Sequence, residues 1–280
     1  MTSESESAYL TSLFSLREQV ALVTGSGGVL GGAMAHGLAR AGARVVFLDR
    51  NVERGEANAA QVAAAGGEAL ALTADVLDRP ALERDREVIL ARWGRIDVLV
   101  NAAGGNSPNA TVPDDKAFFD LDPDALRANI DLNWLGTVLP SQVFGATMAA
   151  QGAGCIVNIS SMAADRALTR VVAYSAAKAA VENLTRWLAV ELARKYGAGV
   201  RVNALAPGFF VGNQNRALLH NPDGTLTPRG QAIHAHTPMK RFGSPDDLIG
   251  ALIWLCSPAA AFVTGIVLPV DGGFSAFSGV

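Results

Sequence analysis

Short apolar runs in this chain are continuous rather than alternating, and that sets its architecture. They cover residues 20–23, 44–48, 68–72, 96–100, 155–159 and 200–205. A strand with one solvated face alternates apolar and polar residues, whereas a strand covered on both faces does not. Helical patterns lie between the runs. After the first, Leu30, Ala33, Met34, Gly37, Leu38 and Ala41 mark one helical face of small residues, and an Ala-rich helix follows the second run. Repeated strand–helix units with right-handed crossovers give an α/β fold, a doubly wound parallel sheet of Rossmann type flanked by helices. No linker divides the chain. The expectation is a single domain over residues 17–280 behind an N-terminal extension of residues 1–16, whose polar first eight residues read as mobile.

Composition excludes several functions. The chain has 280 residues, 50% hydrophobic and only 18% charged, enough for a large core and incompatible with wholesale disorder. Its 23 basic and 26 acidic residues leave no positive excess to track a phosphate backbone, so nucleic acid is not an expected partner. Cys155 and Cys256 are far apart in sequence, with neither a disulfide framework nor zinc spacing, which fits a reducing cytoplasm. Glu4 and Glu6 occupy a start without any basic residue, unlike a secretory signal. The uncharged run over residues 249–270 is broken by Pro258, Gly265 and Pro269; it reads as a helix end, a loop and a buried strand, not a membrane span. The protein is expected to be soluble, with no membrane partner.

The strand–helix rhythm breaks over residues 209–240, where a short helix candidate covers residues 227–236. An insertion after a strand's carboxyl end is where a lid or substrate loop belongs. His234 and His236, two apart on that helix, point to different faces and have no third ligand nearby, so no metal site is expected. Trp93, Trp134, Trp187 and Trp254 read as core or interface aromatics, and Cys155 as inert packing.

Three places carry chemistry. Residues 24–31, Thr-Gly-Ser-Gly-Gly-Val-Leu-Gly, join the first strand to the first helix, where glycines admit a pyrophosphate and the helix N-terminus supplies N–H groups. The match to G-x-G-x-x-G is imperfect, because the last glycine, Gly31, comes one residue late. Asp49 ends the second strand, where a carboxylate hydrogen-bonds an adenosine ribose and repels a 2'-phosphate. That favours NAD, while the adjacent Arg50 leaves NADP open. Tyr174 and Lys178 stand four apart on a helix pattern, so a phenol and an ammonium face one site. A neighbouring cation favours phenolate, which makes Tyr174 a usable acid–base group.

The order and spacing of Thr24-Gly25, Gly31, Asp75-Val76, Asn101-Ala-Ala-Gly104, Asn133, Ser161, Tyr174, Lys178 and Pro207-Gly208 resemble the short-chain dehydrogenase/reductase family, from Val20 to the C-terminus. The resemblance implies that Tyr174 is the general acid–base, Lys178 binds the nicotinamide ribose and lowers the tyrosine pKa, Ser161 holds the substrate oxygen, and Asn133 holds a water linking Lys178 to solvent. It assigns Gly25, Ser26, Gly28, Val29, Leu30 and Gly31 to the cofactor phosphates, Asp49 and Arg50 to the adenosine ribose, and Asp75 and Val76 to the adenine. Asn101 would steady the strand beside the cofactor, which Ala102, Ala103 and Gly104 flank, as do Pro207, Gly208 and Phe210. Two positions depart from the pattern. Val29 stands where a glycine is usual, and Gly212 replaces a threonine that often holds the carboxamide, leaving backbone groups of residues 209–211 for that task.

Stretches outside that core, among them residues 104–106, 118–122, 207–210, 214–219 and 267–274, are similar to the D-mannonate oxidoreductase (D-fructuronate reductase) subgroup. This implies a sugar-acid substrate with Asn106, Ser161, Arg170, Gln214, Asn215 and Arg216 around it, and Arg216 or Arg170 on its carboxylate. A reductase of another keto sugar acid, of ketogluconate or deoxy-ketouronate type, stays open, as does a non-catalytic nucleotide sensor on the same fold. The resemblance further implies a homotetramer or homodimer, with the apolar tail over residues 272–280 suited to an interface.

Overall fold

The protein is described here by a computed structural model covering residues 3–212 and 215–279. Seven strands form one sheet: β1 (Val20–Thr24), β2 (Arg44–Asp49), β3 (Ala69–Thr73), β4 (Val98–Asn101), β5 (Gly154–Ile159), β6 (Val200–Pro207) and β7 (Val267–Val270). Their order is β3-β2-β1-β4-β5-β6-β7 and every pairing is parallel. The chain winds outward from β1 to β3, then returns to β1's other side with β4. That reversal opens a crevice at the carboxyl ends of β1 and β4, where Thr24 is paired with Asn101.

Both faces of the sheet are covered, which explains the continuous apolar runs. On β1, Ala21 and Val23 join a core cluster with Met34, Leu38, Phe47, Leu252 and Leu255. Val20 and Leu22 point the other way, into a cluster with Leu82, Ile89, Leu99, Phe144 and Met148. The first layer is built by α2 (Val29–Arg40) and α10 (Ile249–Cys256), and the second by α4 (Arg79–Trp93) and α6 (Gly136–Gln151). The long α7 (Val172–Tyr196) packs on β6 and β5. Gly37 lets α2 approach α10, since a methyl there would meet the Ile249 side chain at 2.7 Å.

Several expectations are corrected. The N-terminal extension carries a helix, α1 (Ser3–Phe14), and Leu16, assigned to that extension, is fully buried in the first core cluster. The third strand begins at Ala69, and the fourth at Val98 rather than Ile96, whose N–H is taken by the Gln151 side chain. β7 is half-exposed rather than buried, because it is the sheet's edge. Trp187 is exposed on α7 and contributes to no core. Cys155 and Cys256, distant in sequence, are brought side by side, with the Cys155 thiol donating to the Leu255 carbonyl at 3.3 Å. Among the described residues, no helix is long and apolar enough to cross a membrane.

The insertion after β6 contains α8 (Arg216–Leu219) and α9 (Pro228–His236). The tail's rings engage their own chain: Phe274 lies 5.3 Å from Phe209 and 4.7 Å from His236, and Phe277 lies 5.1 Å from His236.

Candidate active site

A groove of about 620 Å³ runs along the carboxyl ends of the central strands. At one end the β1–α2 turn is compressed. Gly25 takes φ +66, and a methyl at Gly31 would overlap the Gly25 carbonyl oxygen. Gly28 precedes α2 without any side-chain cap, and no acidic residue lies in that helix's first turn. The open N–H groups and positive helix end therefore offer a cradle for an anion. Val29, the departure from the glycine pattern, sits as the first residue of α2 and lines the groove with Gly25, Gly28, Leu30 and Gly31.

Ser26 does not line it. Its side chain is fully buried with an unpartnered hydroxyl, and its carbonyl accepts from Asn58 at 2.9 Å, so it serves the turn from beneath. Asn101 is likewise buried below the groove, donating to Ser141 Oγ and Asn158 Oδ1 at 2.9 Å each, and it ties β4 to β5 and α6. Ala102, Ala103, Gly104, Asp75, Val76, Pro207, Gly208 and Phe210 do line the groove.

Asp49 reaches the groove with both carboxylate oxygens engaged. Oδ2 accepts from the Gly27 N–H at 2.8 Å and Oδ1 from the Asn51 N–H at 2.8 Å. Arg50 lines the same end, and so does Arg54, which sequence reasoning missed. Its signal was its place in the first turn of α3 (Val52–Ala64), the helix that leaves β2 at the crevice.

At the other end stand Ser161, Tyr174 and Lys178, from the end of β5 and the first turns of α7. Lys178 Nζ donates to the Ile159 carbonyl at 2.7 Å and lies 5.6 Å from the centre of the Tyr174 ring. Burial pushes the Lys178 ammonium down to about 8. Burial also raises the Tyr174 phenol above its ordinary value, against a smaller lowering by its hydrogen bond with Ser161. The lysine does not set the direction of this shift: its ammonium is held by a backbone carbonyl, and desolvation of the phenolate dominates.

Asn133 is fully buried within a π-helical turn, Asp131–Leu135. Its side chain clamps Gly105 from both sides, Oδ1 accepting from the Gly105 N–H at 2.9 Å and Nδ2 donating to the Gly105 carbonyl at 2.8 Å. Gly104 lies so close that a methyl there would be 2.6 Å from Asn133 Oδ1 and 3.4 Å from Lys178 Nζ. Asn133 thereby shapes the loop over the lysine.

The residues expected around a substrate divide. Asn106 lines the groove, donating to Thr111 Oγ1 at 2.7 Å with its Oδ1 buried and unpartnered. Asn215 also lines it, but its amide is spent on the Phe210 carbonyl and the Gly212 N–H. Arg216 is exposed on α8 and does not line the groove, so it is not brought to the site. Arg170 stands at the entry to α7, outside the groove wall itself. Gln214 lies outside the described residues. His234 and His236 make aromatic contacts, with Phe242 and with Phe274 and Phe277.

Residues 27–275 match the family model described as enoyl-(acyl carrier protein) reductase. The chain is 48% identical over 274 residues to the uncharacterised oxidoreductase UxuB of Bacillus subtilis, covering 95% of this chain and 98% of that one. It is 36% identical over 263 residues to a D-threitol dehydrogenase of Mycolicibacterium smegmatis, covering 94% and 95%. Solved structures are similar too, two of them as follows. One, from Haemophilus influenza with bound NAD and provisionally named a D-mannonate oxidoreductase, has a TM-score of 0.90 at 43% identity, covering 97% of this chain and 100% of that one. The other, a gluconate 5-dehydrogenase from Burkholderia cenocepacia in complex with NADP and tartrate, has a TM-score of 0.86 at 35% identity, covering 96% and 99%.

Proposed function

The chain belongs to the short-chain dehydrogenase/reductase family and is an oxidoreductase of CH–OH groups, and on that footing we propose that it interconverts a keto sugar acid and its alcohol, D-fructuronate and D-mannonate. The observation that carries the reading is one groove with an uncapped helix end at one extremity and the buried Ser161, Tyr174 and Lys178 at the other. A structure similar at 43% identity supports the sugar acid by its name.

The groove's residues fit a nicotinamide dinucleotide. The glycine turn and the α2 N-terminus hold the pyrophosphate, Asp49 takes the adenosine ribose, Asp75 and Val76 flank the adenine, and Lys178 takes the second ribose. NAD is the preferred form, with Arg50 and Arg54 positioned near enough to tolerate NADP. When bound, the cofactor supplies or accepts the hydride at the substrate carbon. The chain's own groups manage the proton. Ser161 holds the carbonyl oxygen, and Tyr174 Oη gives that oxygen its proton during reduction and takes it back during oxidation. Lys178 stabilises the resulting phenolate, and the Asn133 clamp keeps the Gly104–Gly105 backbone against the lysine.

The test follows NADH and NADPH absorbance when D-fructuronate is added, with Tyr174→Phe as control. Rapid NADH oxidation that the control abolishes is expected. Silence with both cofactors would sink the fructuronate assignment. Turnover of a ketogluconate instead would favour the second reading, which rests on similarity to the gluconate 5-dehydrogenase.

A further inference from the structure

Two arginines from separate segments come near each other, Arg229 bonding to Thr169, the neighbour of Arg170, and feeling the Arg170 charge. Arg170 lies four residues before Tyr174, at the entry to α7, and its carbonyl accepts from the Val112 N–H at 2.9 Å. Val112 continues the loop whose Asn106, Ser107 and Pro108 line the groove, so this bond ties the Arg170 backbone to that loop. Arg229 comes from the first turn of α9, in the insertion after β6. It reaches across to donate from Nη1 to Thr169 Oγ1 at 3.1 Å.

Several features of the pair are unfavourable without an anion. Both side chains are half-buried, and neither forms an ion pair among the described residues. Arg170 Nε is buried with no partner. Arg170 also takes φ +81, a left-handed backbone that a non-glycine residue adopts at a cost. Arg229 sits where the helix dipole disfavours a cation. Burial and the Arg170 charge lower its pKa, and Asp114 opposes this only as the smallest influence. Strain of this kind persists at sites where a ligand makes use of it.

We propose that Arg170 and Arg229 together form the carboxylate-binding site of the substrate pocket, selecting sugar acids over uncharged ketoses. The inference rests on the sugar-acid reading for its biological ligand, but its anion chemistry stands separately. Two planar guanidiniums can hold one carboxylate through paired terminal N–H groups, which relieves their mutual repulsion. The two arginines come from the insertion and from the α7 entry, so a bound carboxylate also bridges the insertion to the catalytic helix. Arg216, exposed on α8, has no part in it.

The test uses the holoenzyme saturated with NADH, so that the pyrophosphate cradle is filled. Malonate, a carboxylate without a reducible ketone, is titrated by calorimetry. D-fructuronate and the uncharged ketose D-fructose are compared kinetically. Arg229→Gln and Arg170→Gly are each expected to raise the malonate Kd and the fructuronate KM about 10- to 100-fold. The fructose KM should not move, nor should any constant in Arg216→Gln. Arg170→Gly also releases the left-handed strain and should raise Tm, so lost binding is not misfolding. Malonate binding lost in the variants, with no sugar acid turned over by the parent enzyme, would uphold the anion site while removing the proposed substrate. Fructuronate turnover with KM unchanged in both variants, or a parent enzyme that does not bind malonate, would overturn the inference.

Discussion

Lys178 Nζ faces the Tyr174 ring at 5.6 Å while donating to the Ile159 carbonyl, and the pair is poised for reduction at neutral pH. The buried phenol is raised above its ordinary value and holds its proton, the form that protonates a carbonyl oxygen. The lysine, lowered by burial to about 8, is charged at pH 7 and loses its proton in the mildly alkaline range. Reductive kcat/KM, which reports the free enzyme's groups, is expected to be flat from pH 6 to about 7.5 and to fall above about 8. Tyr174→Phe should lower it about a thousandfold. A profile flat to pH 9.5 would remove Lys178 from the reaction.

The loop over the lysine gives a steric test. Gly104→Ala places a methyl 2.6 Å from Asn133 Oδ1, which is already committed to the Gly105 N–H. Either the clamp opens or the loop shifts off Lys178. NADH affinity should weaken at least tenfold, a loss of about 1.4 kcal/mol, while circular dichroism stays that of the parent. Unchanged NADH titration would show that the clamp does not shape the cofactor site.

Legibility in the sequence followed the range of the interaction. The runs at residues 20–23 and 44–48 gave strands to within a residue because both sheet faces are covered, so composition alone marks them. β7 looked equally buried, but its half-exposure depends on being last in the sheet order, which apolarity does not report. Tyr174 and Lys178 were legible because four residues is one helical turn. Arg229 was not, because its contact with Thr169 spans the β6 crossover. Ser26 was placed at the phosphates by position in the pattern, whereas its side chain is buried beneath the groove; the strand-steadying part expected of Asn101 agrees with its bonds to Ser141 and Asn158.

Asp85, on α4, carries a buried and unpartnered Oδ2, and desolvation raises its pKa to about 6, with Arg84 only partly offsetting it. The native carboxyl therefore holds a proton more tightly than the unfolded one. This group destabilises the fold above pH 6, less as pH falls through 6, and not at all below about 4. Asp85→Asn should stabilise by about 1 kcal/mol at pH 7.5, a value discounted for partial solvent access. That is a Tm gain of about 2 °C. The gain should shrink to about a third at pH 4.5 in the same thermal melts and be gone once the pH lies well below the unfolded carboxyl's value, and a gain independent of pH would rule out the ionisation.

Cofactor choice turns on Asp49. Its carboxylate would meet a 2'-phosphate as a like charge, yet it also anchors the Gly27 and Asn51 N–H groups at 2.8 Å each. Asp49→Ser removes the repulsion and leaves a shorter acceptor, while Arg50 and Arg54 remain at that end of the groove to meet a phosphate. The NADPH KM should fall about tenfold, the scale of one close charge contact near a surface. The NADH KM should rise by a similar factor as the ribose loses its acceptor. High salt should shrink the NADPH gain, because exposed arginines make it. If both KM values rise together, the role of Asp49 is to brace the glycine turn through Gly27, and the arginines do not read the phosphate.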